Sequence, residues 1–269
     1  MPAPAIRPRR RRRLTALVVG AVLALGLAAG PQPDARAAQA TVAVATNFLV
    51  PLRALAEEFA ARTGHSLRIS SGSTGQLYAQ ITNGAPYDVF LSADAARPLR
   101  LEEAGAALPG TRRTYALGRI VLWSADSGRV DAGGAEALGT LGDGKIAIAN
   151  PEVAPYGVAS QETLERLGFW EPFQDRLVRG INVAQVFQFI GTRNAAMGFI
   201  AMSQLSGRPK GGEGSIWIVP ADLHGPIRQD MVLLERAAGN EAAFAFLDFL
   251  AAPDILARIE GFGYSAPAD

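Results

Sequence analysis

The pattern of hydrophobic and polar positions after residue 40 alternates between short β-rich runs and stretches with helical spacing. In the first such stretch, Leu52, Leu55 and Phe59 recur at the spacing of one helix face, and Gly64 follows as a C-cap. The alternation continues as strand, helix, strand, helix, strand over residues 41–45, 51–62, 67–69, 76–82 and 89–91. This βαβαβ order predicts a parallel sheet with crossover helices.

A longer β-like run, Tyr115–Trp123, is predicted to lead into a second lobe, in which the pattern restarts. The elements predicted there are strands and helices in alternation, over residues 145–149, 158–167, 176–178, 184–190 and 197–200. The last elements are predicted over residues 215–219, 231–234 and 241–252, with a short helix from Pro253. The expected fold class is α/β, with two lobes, parallel-core sheets flanked by helices, and two crossings between the lobes. Lobe 1 is predicted to comprise 41–117 plus 220–269, and lobe 2 to comprise 118–219.

The first residues of the chain have the pattern of a secretory signal peptide, predicted over 1–37. A dense run of arginines, Arg9–Arg13, precedes the apolar stretch Leu14–Gly30, and Ala35-Arg36-Ala37 matches a cleavage pattern. The apolar stretch is slightly short for a membrane anchor. We therefore expect an exported, periplasmic protein, by either the general secretory or the twin-arginine route.

Removing the predicted signal peptide reverses the charge balance. The whole chain has 26 basic and 25 acidic groups, and residues 1–37 carry seven arginines and one acid, which leaves 19 basic and 24 acidic groups and a net charge of −5. The exported part therefore has no overall positive field for nucleic acid. Because the chain has no cysteine and only two histidines, a thiolate or His-rich metal site is disfavoured.

Four loops follow predicted strands and precede predicted helices, and they are the candidate binding site: residues 45–48, 70–75, 150–157 and 180–183. In open parallel sheets, ligands bind beyond the carboxyl ends of strands. Each loop offers backbone N–H groups at a helix start, where anions are bound. Ser, Thr and Asn are also common N-caps, so any one loop alone would be ascribed to ordinary capping. The four together favour an oxyanion site.

The loop tips contain no Lys, Arg or His, and Glu152 is the only acid in the loops. A fully ionised tetrahedral dianion needs only donors, whereas phosphate at neutral pH keeps a proton and needs an acceptor. Molybdate and sulfate both fit a site that contains only donors, and size would have to separate them.

At these loops the chain resembles the periplasmic molybdate-binding proteins of ABC importers, from about residue 41 to the C-terminus. The resemblance is carried by Thr46-Asn47-Phe48-Leu49, by Ser-Ser-Gly-Ser-Thr74-Gly75, and by residues 83–94 and 150–157. It implies the type II periplasmic-binding-protein fold, with molybdate, and tungstate, held between two lobes. It also implies a monomer that delivers the ion to an ABC permease and its ATPase, without a cofactor and without catalysis.

The resemblance implies a ligand set drawn from both lobes. Thr46, Asn47 and Thr74 come from the first lobe, with Ser73 as an adjacent alternative. Tyr156 and Val183 come from the second and act through backbone N–H groups. Some members use a tyrosine after the strand that matches residues 197–200, and here that position is Ala201.

Three alternatives remain: a sulfate or other oxyanion carrier, an exported α/β hydrolase, and an exported sensory module. The hydrolase is disfavoured because Gly72-Ser73-Thr74-Gly75 lacks the spacing of a nucleophile elbow. Three further interpretations concern single side chains. We expect surface-loop positions for His65 and His224, capping or hinge roles for Asp88 and Asp94, and core packing for Trp123, Trp170 and Trp217.

Overall fold

The computed structural model describes residues 1–2, 37–131, 133–206 and 214–267. Residues 3–36, which make up nearly all of the predicted signal peptide, lie outside the described residues. The strands are β1 Gln39–Ala45, β2 Ser66–Gly72, β3 Val89–Leu91, β4 Arg113–Gly118, β5 Ile120–Ser124, β6 Ile146–Ala149, β7 Leu177–Gly180, β8 Met197–Ala201, β9 Ser215–Ile218 and β10 Ile227–Leu233. The α-helices are α1 Leu49–Thr63, α2 Thr74–Thr82, α3 Ala96–Glu103, α4 Gly134–Gly139, α5 Pro155–Arg166, α6 Val183–Gly191, α7 Glu241–Ala251 and α8 Pro253–Gly261.

The strands form two five-stranded sheets, in the orders β2-β1-β3-β10-β4 and β7-β6-β8-β5-β9. Each sheet has the predicted parallel core, β2-β1-β3 in the first and β7-β6-β8 in the second. Both sheets are mixed, because β10 runs antiparallel to its two neighbours and so does β5. The two-lobed α/β fold class is confirmed.

The chain passes between the sheets twice. It leaves the first sheet at the end of β4 and enters the second after a single residue, Arg119. It returns between Ile218 and Ile227 through a 3₁₀ turn, Ala221–Leu223. These two segments lie where the sequence predicts the crossings, and the lobe limits 41–117 plus 220–269 and 118–219 stay a prediction.

Each sheet is covered by its own hydrophobic core. Around the first sheet, Phe59 packs edge-on against Phe246 and Phe249, with ring centroids 5.4 and 5.5 Å apart. Around the second, buried Trp123 stacks on Phe187 with centroids 4.6 Å apart. Fully burying one such side chain contributes about 1.5–3 kcal/mol of hydrophobic stabilisation. Trp170 and Trp217 pack against the same second core, so the interpretation of the tryptophans is confirmed.

The four helices that follow the candidate loops begin earlier than the hydrophobic pattern predicts. They start at Leu49, Thr74, Pro155 and Val183, whereas the pattern places their starts at residues 51, 76, 158 and 184. Apolar residues recur along a helix only where it packs against the core. These first turns face a cleft instead, so the hydrophobic pattern does not include them. Candidate loop residues therefore lie within first helical turns, where N–H groups have no partner inside the helix.

The prediction that His65 and His224 are surface-loop residues is wrong. Their exposed fractions are only 8 and 9%. His65 Nδ1 accepts the Ala38 N–H at 3.1 Å, and His224 Nδ1 lies 2.6 Å from the Gly225 carbonyl oxygen. Both rings fold back onto nearby backbone, which sequence spacing alone does not reveal.

Of the two strand-flanking aspartates, Asp94 caps a helix as expected, whereas Asp88 connects two strands of the first sheet. Asp88 accepts the Thr41 N–H at 2.6 Å, which ties the start of β3 to β1. Asp94 accepts the Arg97 N–H at 2.9 Å and pairs with the same residue's guanidinium at the start of α3. The sequence pattern did not predict this helix, because only Pro98 and Leu101 of its residues are buried.

Candidate functional site

A small cavity lies between the two lobes, at the ends of the strands that precede the four helices. It has about 10 Å³ of free volume and is lined by Ala45, Thr46, Asn47, Gly72, Ser73, Thr74, Ala93, Ala154, Pro155, Tyr156, Asn182 and Val183. All six residues predicted for the site line this one cavity. Pockets for organic ligands run from about 300 Å³ upward, so this cavity is too small for an organic ligand and a small ion is the better candidate.

The first lobe contributes a turn with the Thr46 hydroxyl and backbone N–H groups as donors. The 3₁₀ turn Thr46–Phe48 leads from β1 into α1, and neither this turn nor α1 has a side-chain N-cap. Ordinary capping therefore does not account for Thr46 and Asn47. The helix dipole of α1 adds partial positive charge at the same end.

In the second loop of that lobe, Ser73 and Thr74 have different roles. Ser73 forms a capping box: its Oγ accepts the Gln76 N–H at 3.3 Å and donates to Gln76 Oε1 at 3.0 Å. Thr74 Oγ1 accepts the Ala93 N–H at 3.1 Å, which leaves the hydroxyl hydrogen to donate to a ligand. The structure favours Thr74 over Ser73 as the hydroxyl donor.

The second lobe contributes backbone N–H groups at two helix starts. Pro155 occupies the first position of α5 and has no N–H, so Tyr156 is the first residue of that helix that can donate. The helix has no side-chain cap. Val183 is the first residue of α6, and the side chain of Asn182 caps that helix by accepting the Gln185 N–H at 3.0 Å.

The lining of the cavity contains no charged side chain. The donors are therefore dipoles and hydroxyls, as a fully ionised oxyanion requires. The nearby phenols also stay neutral, because burial raises the pKa of Tyr156 and of Tyr115 well above 10, and burial raises the pKa of Tyr264 as well. Within the described ranges, no group of three or more His, Asp or Glu side chains is placed to hold a metal ion.

Comparison with known proteins agrees with this geometry. The sequence model of the family of bacterial extracellular solute-binding proteins matches residues 40–265. The chain is 46% identical to the molybdate-binding protein ModA of Rhodobacter capsulatus over 241 residues, which cover 90% of this chain and 94% of the relative. It is also 46% identical to ModA of Azotobacter vinelandii over 232 residues, which cover 86% and 91%.

This chain belongs to the family of bacterial extracellular solute-binding proteins.

A solved structure supports the same assignment. The periplasmic molybdate-binding protein of Azotobacter vinelandii superposes with a TM-score of 0.81 and 42% sequence identity, covering 85% of this chain and all of the other. The relatives that this chain matches are solute-binding proteins. Among the described residues, no helix has the length and apolar character needed to cross a bilayer.

The lobes of this solute-binding protein touch across the cleft. The Gly75 N–H donates to the Val153 carbonyl at 2.9 Å. A Cβ at Gly75 would lie 3.0 Å from Val153 Cα, so only glycine allows this approach without a shift. Arg97 Nη2 also donates to the Glu152 carbonyl at 3.4 Å. The two lobes are therefore in direct contact beside the cavity.

The side chain of Asn47 points away from the cavity and into a buried network that sequence reasoning missed. Asn47 Nδ2 donates to Gln229 Oε1 at 2.8 Å and to Tyr264 Oη at 3.1 Å. Its carbonyl accepts from Tyr264 Oη and from Ser203 Oγ at 2.8 and 2.7 Å. Its backbone N–H is therefore the group left for a ligand. Ala201, where some family members have a tyrosine, does not line the cavity.

Proposed function

We propose that this protein captures molybdate in the interlobe cavity and delivers it to an ABC importer. The observation that supports this most strongly is the small cavity, whose lining offers donors from both lobes and no charged group. The family membership and the 46% identity to two molybdate-binding proteins support the same ligand. Tungstate, with the same shape and charge, is expected to bind as well.

The proposed donors are five. Thr46 and Thr74 donate through their hydroxyl groups, and Asn47, Tyr156 and Val183 donate through backbone N–H groups. Ser73, the adjacent alternative, is assigned to capping, because its Oγ is engaged with Gln76. No metal ligand or cofactor is involved, since the metal enters as an oxyanion whose own oxygens accept the hydrogen bonds.

The proposed location in the periplasm rests on the predicted signal peptide. An arginine-rich and apolar segment before residue 37 fits export and cleavage, and a monomeric carrier in the periplasm fits the family. The carrier would close on the ion by rotation of the lobes about the two crossings near residues 118 and 220. The partners would be a membrane permease and its ATPase.

Calorimetric titration of residues 38–269 with molybdate, tungstate, sulfate and phosphate tests the proposal. We expect tight binding of molybdate and tungstate, and much weaker binding of sulfate and phosphate. Ligand at about 1,000 times its Kd should stabilise the folded protein by roughly 4 kcal/mol. Tight sulfate binding without a molybdate signal would instead identify a sulfate carrier.

A further inference from the structure

Gln229 lies outside the cavity but contacts a proposed donor residue from each lobe. It is a fully buried residue on β10, in the first sheet. Its Oε1 accepts from Asn47 Nδ2 at 2.8 Å, and its Nε2 donates to Tyr156 Oη at 3.1 Å. Asn47 belongs to the first lobe and Tyr156 to the second. One carboxamide therefore joins the two halves of the proposed ligand set.

The space for this contact is provided at the first crossing. A Cβ at Gly118 would lie 2.4 Å from Tyr156 Oη and 2.7 Å from Gln229 Nε2. The glycine at the end of β4 therefore leaves the space in which the phenol of Tyr156 meets Gln229. The contact lies next to the segment about which the lobes are proposed to rotate.

The carboxamide is itself held on its acceptor side. Besides the bond from Asn47, the Tyr115 hydroxyl lies 2.9 Å from Gln229 Oε1 and shares its one hydrogen with the Ser92 carbonyl oxygen at 3.0 Å. Because both donors lie on the Oε1 side, the amide is oriented with Nε2 toward Tyr156. Because Tyr156 is buried and its phenol is neutral, it can accept this hydrogen bond throughout the physiological pH range.

We propose that Gln229 is a positioning residue for oxyanion binding. Through the phenol it fixes the first turn of α5, and so the direction of the Tyr156 N–H, relative to the donors of the first lobe. Through Asn47 it fixes the turn after β1. This inference rests on the proposed function, since it assumes that an oxyanion is bound by donors from both lobes.

Replacing Gln229 with methionine, which has a similar volume and no amide, tests this role. Gln229→Met should weaken molybdate binding by about tenfold, because Asn47 Nδ2 and Tyr156 Oη each lose a buried partner. The matched control is Gln161→Met on α5, whose side chain donates to Glu165 at 2.8 Å on the surface and whose replacement should leave the Kd unchanged. Urea unfolding of the ligand-free variants separates a change of affinity from a loss of folding.

A double-mutant cycle with Tyr156→Phe distinguishes positioning from other causes. Tyr156→Phe removes the same hydrogen bond from the other side, so it should weaken binding severalfold in the wild type and have almost no effect in Gln229→Met. If Tyr156→Phe causes the same loss in both backgrounds, the phenol acts independently of Gln229 and the inference is wrong. If Gln229→Met folds poorly, the cycle is run with Gln229→Asn, whose shorter amide should lose the Tyr156 contact.

The wild-type titration separates the two levels of the argument. A wild type that binds molybdate, beside a Gln229→Met variant that binds it equally well, overturns only the role of Gln229. A wild type that binds none of the four oxyanions overturns the proposed function and this inference with it. A Gln229→Met variant with normal ligand-free stability, weaker molybdate binding and strong coupling to Tyr156 would support the inference.

Discussion

The two lobes face the cavity with different kinds of donor. The donors proposed for the first lobe are the hydroxyl groups of Thr46 and Thr74 and the Asn47 N–H, whereas those proposed for the second lobe are all backbone N–H groups, of Tyr156 and Val183. A hydroxyl is removed by one conservative substitution, whereas a backbone donor survives every substitution except proline. The second side is therefore defined by where helices begin rather than by which side chains are present.

The largest effect is expected for Val183→Pro, which removes a backbone donor of the second lobe. Val183 is the first residue of α6 and follows Asn182 in extended conformation, where proline is well tolerated. Losing a hydrogen bond to a charged oxygen costs about 1.5–3 kcal/mol, so calorimetry should show roughly a 10- to 100-fold weaker molybdate affinity.

Val183→Ala is the control, since it keeps the N–H and should change the affinity only slightly. Circular dichroism should show an unchanged helix content in both variants. Equal affinities of Val183→Pro and Val183→Ala would mean that the second lobe does not donate from this position.

Thr46→Ala and Thr74→Ala test the two hydroxyl donors that are proposed for the first lobe. Each should weaken molybdate binding by at least about tenfold. Thr74→Ser should restore most of the affinity, because it keeps the hydroxyl that accepts from Ala93. Thr82→Ala, at the exposed end of the same helix, is the matched control. Loss in Thr82→Ala as large as in Thr74→Ala would refute a specific contact.

A smaller effect is expected for Gly75→Ala, which touches no proposed donor but disturbs closure. The added Cβ would lie 3.0 Å from Val153 Cα, so the lobes must separate slightly. We expect a severalfold weaker affinity. Small-angle scattering should show that the wild type becomes more compact with molybdate, and that Gly75→Ala needs more ligand to reach the same radius of gyration. Identical scattering curves with and without ligand would contradict the clamshell mechanism, unless the ligand-free protein is already closed.

The smallest effect concerns pH. The affinity for molybdate should stay nearly constant from about pH 6.5 to 8.5, where a histidine ligand would titrate, because no histidine lines the cavity.

Folding stability should instead fall at alkaline pH. Burial raises the pKa of Tyr115, Tyr156 and Tyr264, so their contribution is complete below the unfolded value near 10 and is lost as the pH rises above it. Urea unfolding at pH 8 and pH 11 checks the sign, and a midpoint that does not fall would contradict it.

The sequence predicted the βαβαβ order of each parallel core and the four loops, because both leave local signals. Apolar periodicity marks the helices that cover each sheet, and clusters of Ser, Thr, Asn and Gly mark the turns after strands. The same periodicity misplaced the helix starts at Thr74 and Pro155, since these first turns face the cavity instead of a core.

The hydrogen bonds that hold the residues of the site in place could not be predicted from the sequence. Gln229 meets Asn47 across 182 positions and Tyr156 across 73, and neither contact leaves a periodic or compositional signal. The direction of the Asn47 side chain was hidden for the same reason. Hydroxyl and amide residue types indicated the chemistry of the cavity, and only the fold shows which of them are already engaged.

The most direct test is a crystal structure of residues 38–269 grown with molybdate, in which anomalous scattering locates the molybdenum. The account predicts one peak in the interlobe cavity, with oxygens at hydrogen-bond distance from the Thr46 and Thr74 hydroxyls and from the N–H groups of Tyr156 and Val183. A peak elsewhere, or a molybdate held by one lobe alone, would contradict it.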